Sequence, residues 1–413
     1  MVKTEPTKLK ILHVPACDET KLAHEFIVSL EDLQLDETWT GMVPSHVGHS
    51  KIVDHATKAI IEAQQYAFTR QHKVGNAGLK HYVRTIELLR TELAKPQAQF
   101  TDDLLTTAAL LHLYETVMRS CMPQAFHHVR GMAALLLARP ASAEPSEMLR
   151  AILYAQWSIT FQQPLALGQP SPFEKEHWLA CEPVRRSTLP AEVAKLRHIS
   201  NQLFIRVPRL VVAVRTLRTT PSYQASRLAN ELAEDLLALR DDEAESQVLH
   251  RVNVAKTKHP ADSYITPVSF KFNTLADFEG AAFYWQTRVM VCRLCLKVAA
   301  IDQNTTIETD KVRSDAARMA TNIVMTWQFA YGQGIYGVFC ALMAMMSLLG
   351  VVIDGIQVRS LPIPKMRQWV VQRIDDLLAP WPERRTEAEL EEACDLLVGG
   401  PLKGMWVEVF SNG

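Results

Sequence analysis

Apolar residues recur at every third or fourth position through almost the whole chain, and alternating runs that would suit a strand are scarce. Side chains at that spacing share one helix face, so the pattern commits the chain to helices that bury their stripes against one another. In "KIVDHATKAIIEAQQYAFTR" (51–70), Ile52, Val53, Ala56, Ala59, Ile60, Ala63 and Ala67 form such a stripe. "LKHYVRTIELLRTEL" (79–93) repeats it with Leu79, Tyr82, Val83, Ile86, Leu89 and Leu93, and stops short of Pro96, because proline disfavours a helical residue before it. Thr101 caps the next helix, and Asp102 and Asp103 follow where carboxylates favour the helix N-terminus. The same periodicity predicts helices near 124–138, 145–163, 187–217, 222–240, 275–301, 309–331, 335–353, 364–379 and 386–398.

The expected architecture is all-α, a large single helical bundle of about a dozen or more helices. It occupies 49–400, between an irregular N-terminal segment (1–48) and a C-terminal tail (401–413). Over 241–274 the pattern weakens, and "DDEAESQ" and "TKHPADSYITPVSF" read as an exposed loop or a seam within the domain.

Charge and cysteine usage narrow the function classes. With 44 basic against 45 acidic residues the net charge is -1, so no overall positive field draws in a phosphate backbone, and direct DNA binding by this chain alone is not expected. The seven cysteines are scattered and odd in number, which fits a reducing compartment. "IYGVFCALMAMMSLLGVVI" (335–353) carries no charge and is long enough to span a bilayer. It lacks flanking Lys/Arg asymmetry and is rich in small residues, so it reads as a buried central helix and no membrane association is expected.

Several motifs fail on context. "GQGIYG" (332–337) has dinucleotide-loop spacing but follows a helical pattern where a strand is needed, so it reads as a helix-to-helix turn. "CRLC" (Cys292, Cys295) is half a zinc site with no second pair. No metal and no cofactor is implied.

The remaining polar candidates lie in "DDLLTTAALLHLYE" (102–115) and the sequel "HHVRGMAALLLARP" (127–140). Glu115 shares a helix face with Leu104, Ala108 and Leu111, and His112 lies alongside. A buried carboxylate is costly unless paired. Arg119, His127, His128 and Arg130 are the nearest donors in sequence, so His112, Glu115, His127, His128 and Arg130 form a candidate polar clamp, or else a ligand or proton-transfer site. A second candidate is an apolar pocket lined by Trp285, Trp327, Phe329, Tyr331, Met343 and Met346, with neighbouring Met345, because methionine and aromatic side chains adapt to irregular apolar ligands. At helical spacing the same residues also serve as core.

"YVRTIELLRTEL", "DDLLTTAALLHLYE" and "HVRGMAALL" ending at "RP" resemble, in that order, stretches of the regulatory middle region of fungal binuclear zinc cluster transcription factors. Tyr114, Glu115, His128 and Gly131 occupy the matching positions. "FEKEHWLACEP", "FEGAAFYWQTRVMVCRLCLKV" and "AARMATNIVMTWQFAYGQGIYGVFCAL" extend the likeness over roughly residues 51 to 353. The resemblance implies an all-helical domain acting in nuclear gene control, often as a homo- or heterodimer with related regulators and in response to metabolites. In that family DNA is held by a cysteine module around two zinc ions. Here Cys17 is the only cysteine before Cys121, so this sequence cannot hold those zinc ions.

Two functions follow as expectations. One is a nuclear transcription regulator of a fungal specialised-metabolite gene cluster, acting through partners or dimerisation without its own zinc module. The other is a biosynthetic-cluster enzyme or binding protein, cytoplasmic, that takes a hydrophobic small molecule into the same helical domain. No residue is assigned a catalytic role.

Overall fold

The structure, a computed structural model, describes residues 17–31, 39–68, 78–95, 100–118, 122–140, 144–156, 158–162, 164–165, 168–182, 184, 189–379 and 385–401. In chain order the N-terminal part runs α1 (Asp18–Glu31), a 3-10 turn (Trp39–Ser45), α2 (Lys51–Phe68), α3 (Leu79–Leu93), α4 (Asp102–Val117), α5 (Met122–Leu137), α6 (Glu147–Ala155), a π turn (Ser158–Gln162) and α7 (Glu176–Leu179). The rest comprises α8 (Ala191–Thr219), α9 (Tyr223–Ala238), α10 (Asp242–Arg251), β1 (Asn253–Lys256), α11 (Pro260–Ser263), β2 (Val268–Lys271), α12 (Leu275–Ile301), α13 (Thr309–Tyr331), α14 (Gly334–Ile353), α15 (Ile363–Leu378) and α16 (Glu387–Leu396).

Local chemistry starts these helices. The side chains of Thr101, Ser146, Ser222, Asp241 and Thr274 each accept from a backbone N–H three residues on. Thr386 and Glu389 form a reciprocal capping box at α16.

The buried apolar side chains gather in two cores that meet along α8. The N-terminal core draws on α1, α2, α4, α5 and α6, with Phe26, Ile60, Leu105, Met132 and Ile152 at its centre. The C-terminal core is built round α12, which packs along α8, α13, α14 and α9 and is buried from Ala276 through Cys295. On α8 itself Ile205 belongs to the first core, whereas Leu203, Phe204 and Val207 belong to the second. Polar ties reinforce the junction: the Tyr154 hydroxyl donates to the Cys181 carbonyl at 2.8 Å and lies 2.7 Å from Nδ1 of His198 on α8.

The all-α class holds, and several sequence expectations are corrected. The stretch 241–274, read as a loop, is α10, β1, α11 and β2; the strands pair antiparallel with Asn253 opposite Lys271 and Lys256 opposite Val268. Strands of four residues are too short to show a period-two pattern, and the acidic run "DDEAES" proves to be a cap and first helical turn. Within 1–48, read as irregular, α1 and the 3-10 turn place Phe26, Trp39 and Val43 in the N-terminal core, and residues 1–16 and 32–38 lie outside the described residues. The helix expected over 145–163 ends at Ala155. Residues 402–413 of the tail also lie outside the described residues.

The uncharged stretch 335–353 is α14, packed against α12, α13, α15 and α16. Among the described residues, no helix is long and apolar enough to cross a membrane. Of the "GQGIYG" glycines, Gly332 lies in the turn from α13 into α14, and Gly334 and Gly337 fall in the first turn of α14. A Cβ on Gly337 would lie 2.2 Å from the Ala330 carbonyl oxygen, so glycine lets the two helices approach.

Candidate functional site

Three helices meet round one buried carboxylate. Glu115, near the end of α4, keeps only 7% of its side chain exposed and lies among the leucines and alanines of that helix. Such a group must be hydrogen-bonded to remain ionised inside a protein. One donor is Tyr82 of α3, whose phenol hydroxyl gives its proton to Glu115 Oε1. His128 of α5 sits 2.9 Å from the same phenol oxygen and 3.8 Å from Glu115 Oε1. Because the phenol has one proton and directs it at the carboxylate, His128 supplies its own Nε2–H to the phenol oxygen. The Tyr82 ring stacks on Tyr114, centroids 4.6 Å apart, and meets the His128 ring edge-on.

The arrangement continues onto α2. The backbone N–H of Gly78, at the start of α3, donates to Glu62 Oε2 at 2.9 Å, and His81 Nε2 lies 3.6 Å from Glu62 Oε1. His81 Nδ1 faces His55 Nδ1 at 3.0 Å. Gly78 has φ +71, and a Cβ there would lie 2.5 Å from the Ala59 carbonyl oxygen and 3.1 Å from the Tyr114 ring. Glycine is required twice, by backbone conformation and by space.

Electrostatics favour holding protons over passing them. Burial, followed by the hydrogen bond to and the charge of Glu115, pushes the Tyr82 phenol far above the usual tyrosine range. Burial, with Glu115 and Glu62, pushes Tyr114 up to about 12. A phenol so stabilised in its neutral form is a poor acid at neutral pH and no nucleophile. The chemistry of the set is a clasp, with one carboxylate binding α3 and α5 to α4.

Of the polar residues expected from sequence, the clasp brings Glu115 and His128 together. His127 is solvent-exposed on α5, and His112 and Arg130 are half-buried. Arg119 lies outside the described residues. Tyr82, Glu62, His81 and His55 are members that sequence reasoning missed: Tyr82 was counted into an apolar stripe, and its phenol was the available signal.

Apart from Tyr331, the aromatic and methionine candidates are packed in the C-terminal core in separate roles. Trp285 is fully buried and donates its indole N–H to Glu245 Oε1 at 2.8 Å, where Arg318 also binds at 2.7 Å. Trp327 lies under the Arg373 guanidinium and beside Tyr331 and Trp369, and Tyr331 is 54% exposed. Phe329 packs against Phe272 and Phe278. Met346 and Met345 are buried, Met343 is half-buried, and the Met346 carbonyl accepts from the Cys394 thiol. Two surface clefts, of about 460 Å³ between α15 and α16 and about 330 Å³ beside Lys297 and Asp354, are lined by none of these residues and none of the clasp.

This core also buries charges. Arg288 is fully buried and donates to the carbonyls of Leu236, Leu237 and Leu239 at the end of α9, where the helix dipole favours a cation. Arg293 pairs with Asp354 at 2.7 Å, as does Lys297. Burial pushes the Cys292 thiol up to about 11 and Cys394 up to about 12. Among the described residues no three His, Cys, Asp or Glu side chains are grouped to hold a metal ion.

No family model, curated protein or solved structure matches the chain.

Proposed function

We propose that the chain is a transcription-regulator-like protein of fungal type, acting in the nucleus on a specialised-metabolite gene cluster through a second copy or a related regulator. One observation carries the reading. The stretches that resemble the regulatory region of zinc cluster factors, on α3, α4 and α5, are the stretches the Tyr82–Glu115–His128 clasp ties together. Residues that would serve as acid–base groups in an enzyme are spent on one another, which supports an interaction domain. A net charge of -1 supports recruitment by a partner over a direct grip on DNA.

The test is chromatin immunoprecipitation of the tagged chain in cells with and without a related full-length zinc cluster regulator. Occupancy is expected only when that regulator is present. Equal occupancy in its absence would overturn partner recruitment. Absence from chromatin in both, with turnover of a hydrophobic pathway intermediate by the purified chain, would replace the regulator with the enzyme.

A further inference from the structure

We propose that α3 is a pH-releasable helix, fastened to α2 by a proton shared between His55 and His81 and let go when both rings are charged. The two Nδ1 atoms face each other at 3.0 Å, with ring centroids 5.3 Å apart. A contact that short needs one N–H and one lone pair. When both nitrogens carry hydrogen, no bond remains and two like charges oppose each other.

The surroundings sharpen this. Lys58 on α2 and Arg84 on α3 add positive charge at His55, opposed by Asp54. Glu62 on α2, 3.6 Å from His81 Nε2, works against release by attracting that ring in its charged form, and towards α4 and α5 the charged or titratable neighbours of the helix are Tyr114, Glu115 and His128 around Tyr82. Burial comes first, then His81, Lys58 and Arg84, in holding the His55 imidazole below its ordinary range.

Apolar packing of α3 is partial, with Ile86, Leu88 and Leu89 half-buried and the Tyr82 ring stacked on Tyr114. Thr85 is the one fully buried residue of α3, and Leu79, Val83 and Leu93 are exposed. Polar contacts supply much of what holds it: Gly78 to Glu62, His81 to His55, and Tyr82 to the clasp.

The direction follows from linkage. Docked against His81, the His55 imidazole is held below its ordinary range; released, it takes up a proton once pH falls below the ordinary histidine value of about 6.5. Docking is therefore full above that pH and weakens below it, by about tenfold per pH unit for each extra proton taken up.

Hydrogen exchange of the whole chain, read by mass spectrometry at pH 7.5, 6.5 and 5.5 and corrected for intrinsic rates, tests this. Opening of 79–93 is expected to rise about fivefold from pH 6.5 to 5.5 while α12 stays unchanged, and His55→Gln, which still hydrogen-bonds but cannot be charged, should remove the rise. His81→Gln serves the same purpose should the first variant fail to fold. No rise in the wild type, a rise shared equally by α12, or a rise persisting in a folded glutamine variant would each overturn the proposal.

Discussion

Replacing Glu115 by alanine removes the one acceptor that Tyr82 addresses. A hydrogen bond to a charged acceptor contributes roughly 1.5–3 kcal/mol, and the lost methylene adds roughly 0.8 kcal/mol. Two effects offset this. The carboxylate no longer suffers desolvation, and His128, 2.9 Å from the phenol, can turn its lone pair to the orphaned hydroxyl by changing tautomer. A net destabilisation of about 2 kcal/mol results, equivalent to a roughly 30-fold increase in local opening. Hydrogen exchange over α4 and α5 reads this directly and separates it from the C-terminal core, which has its own buried side chains. Glu115→Gln keeps an acceptor and should lose about 1 kcal/mol. Exchange over α4 and α5 unchanged in the alanine variant would refute the clasp, and loss of a bound small molecule or of turnover by that folded variant would put a chemical site in its place.

Gly78→Ala places a Cβ against the Ala59 carbonyl at φ +71, and a loss of about 2 kcal/mol in urea unfolding is expected, with α3 exchanging fastest. Gly350→Ala would bring a Cβ within 2.0 Å of Arg293 Nη1 and pull the guanidinium from Asp354. Breaking a buried pair of this kind costs about 3 kcal/mol, measured as a lower urea midpoint. In alkali the raised thiols set the sign: Cys292 and Cys394 are raised from 9.0 to about 11 and about 12 by burial. Their stabilisation is whole below about pH 9 and is lost as pH climbs through the folded values, so the melting temperature should fall progressively between pH 9 and 12.

The helices 275–301 and 309–331 were legible to the residue, whereas the longest, expected over 187–217, is Ala191–Thr219, because Pro190 sets its start. Their caps and stripes are local, and local patterns are what a sequence displays. The clasp was half legible. Glu115 stood out because it interrupts an apolar face, and His128 because it is polar at the start of one. Tyr82 lies 33 residues from Glu115 and 46 from His128, and nothing local says which helices will face each other. Buried Arg288 and Arg293 left a clearer trace: a cation inside "FYWQTRVMVCRLCL", apolar all round, has to turn inward and find carbonyls or a carboxylate. The hairpin of 253–271 left almost none, since four-residue strands fall below the length at which periodicity can be read.

The account stands on Tyr82 and Glu115 acting as one structural unit, and a double-mutant cycle of Tyr82→Phe with Glu115→Ala measures that directly. Both single variants and the double variant should fold, with a coupling energy of about 1.5 kcal/mol in local opening of α3 and α4. Additive losses, with coupling below about 0.5 kcal/mol, would contradict it.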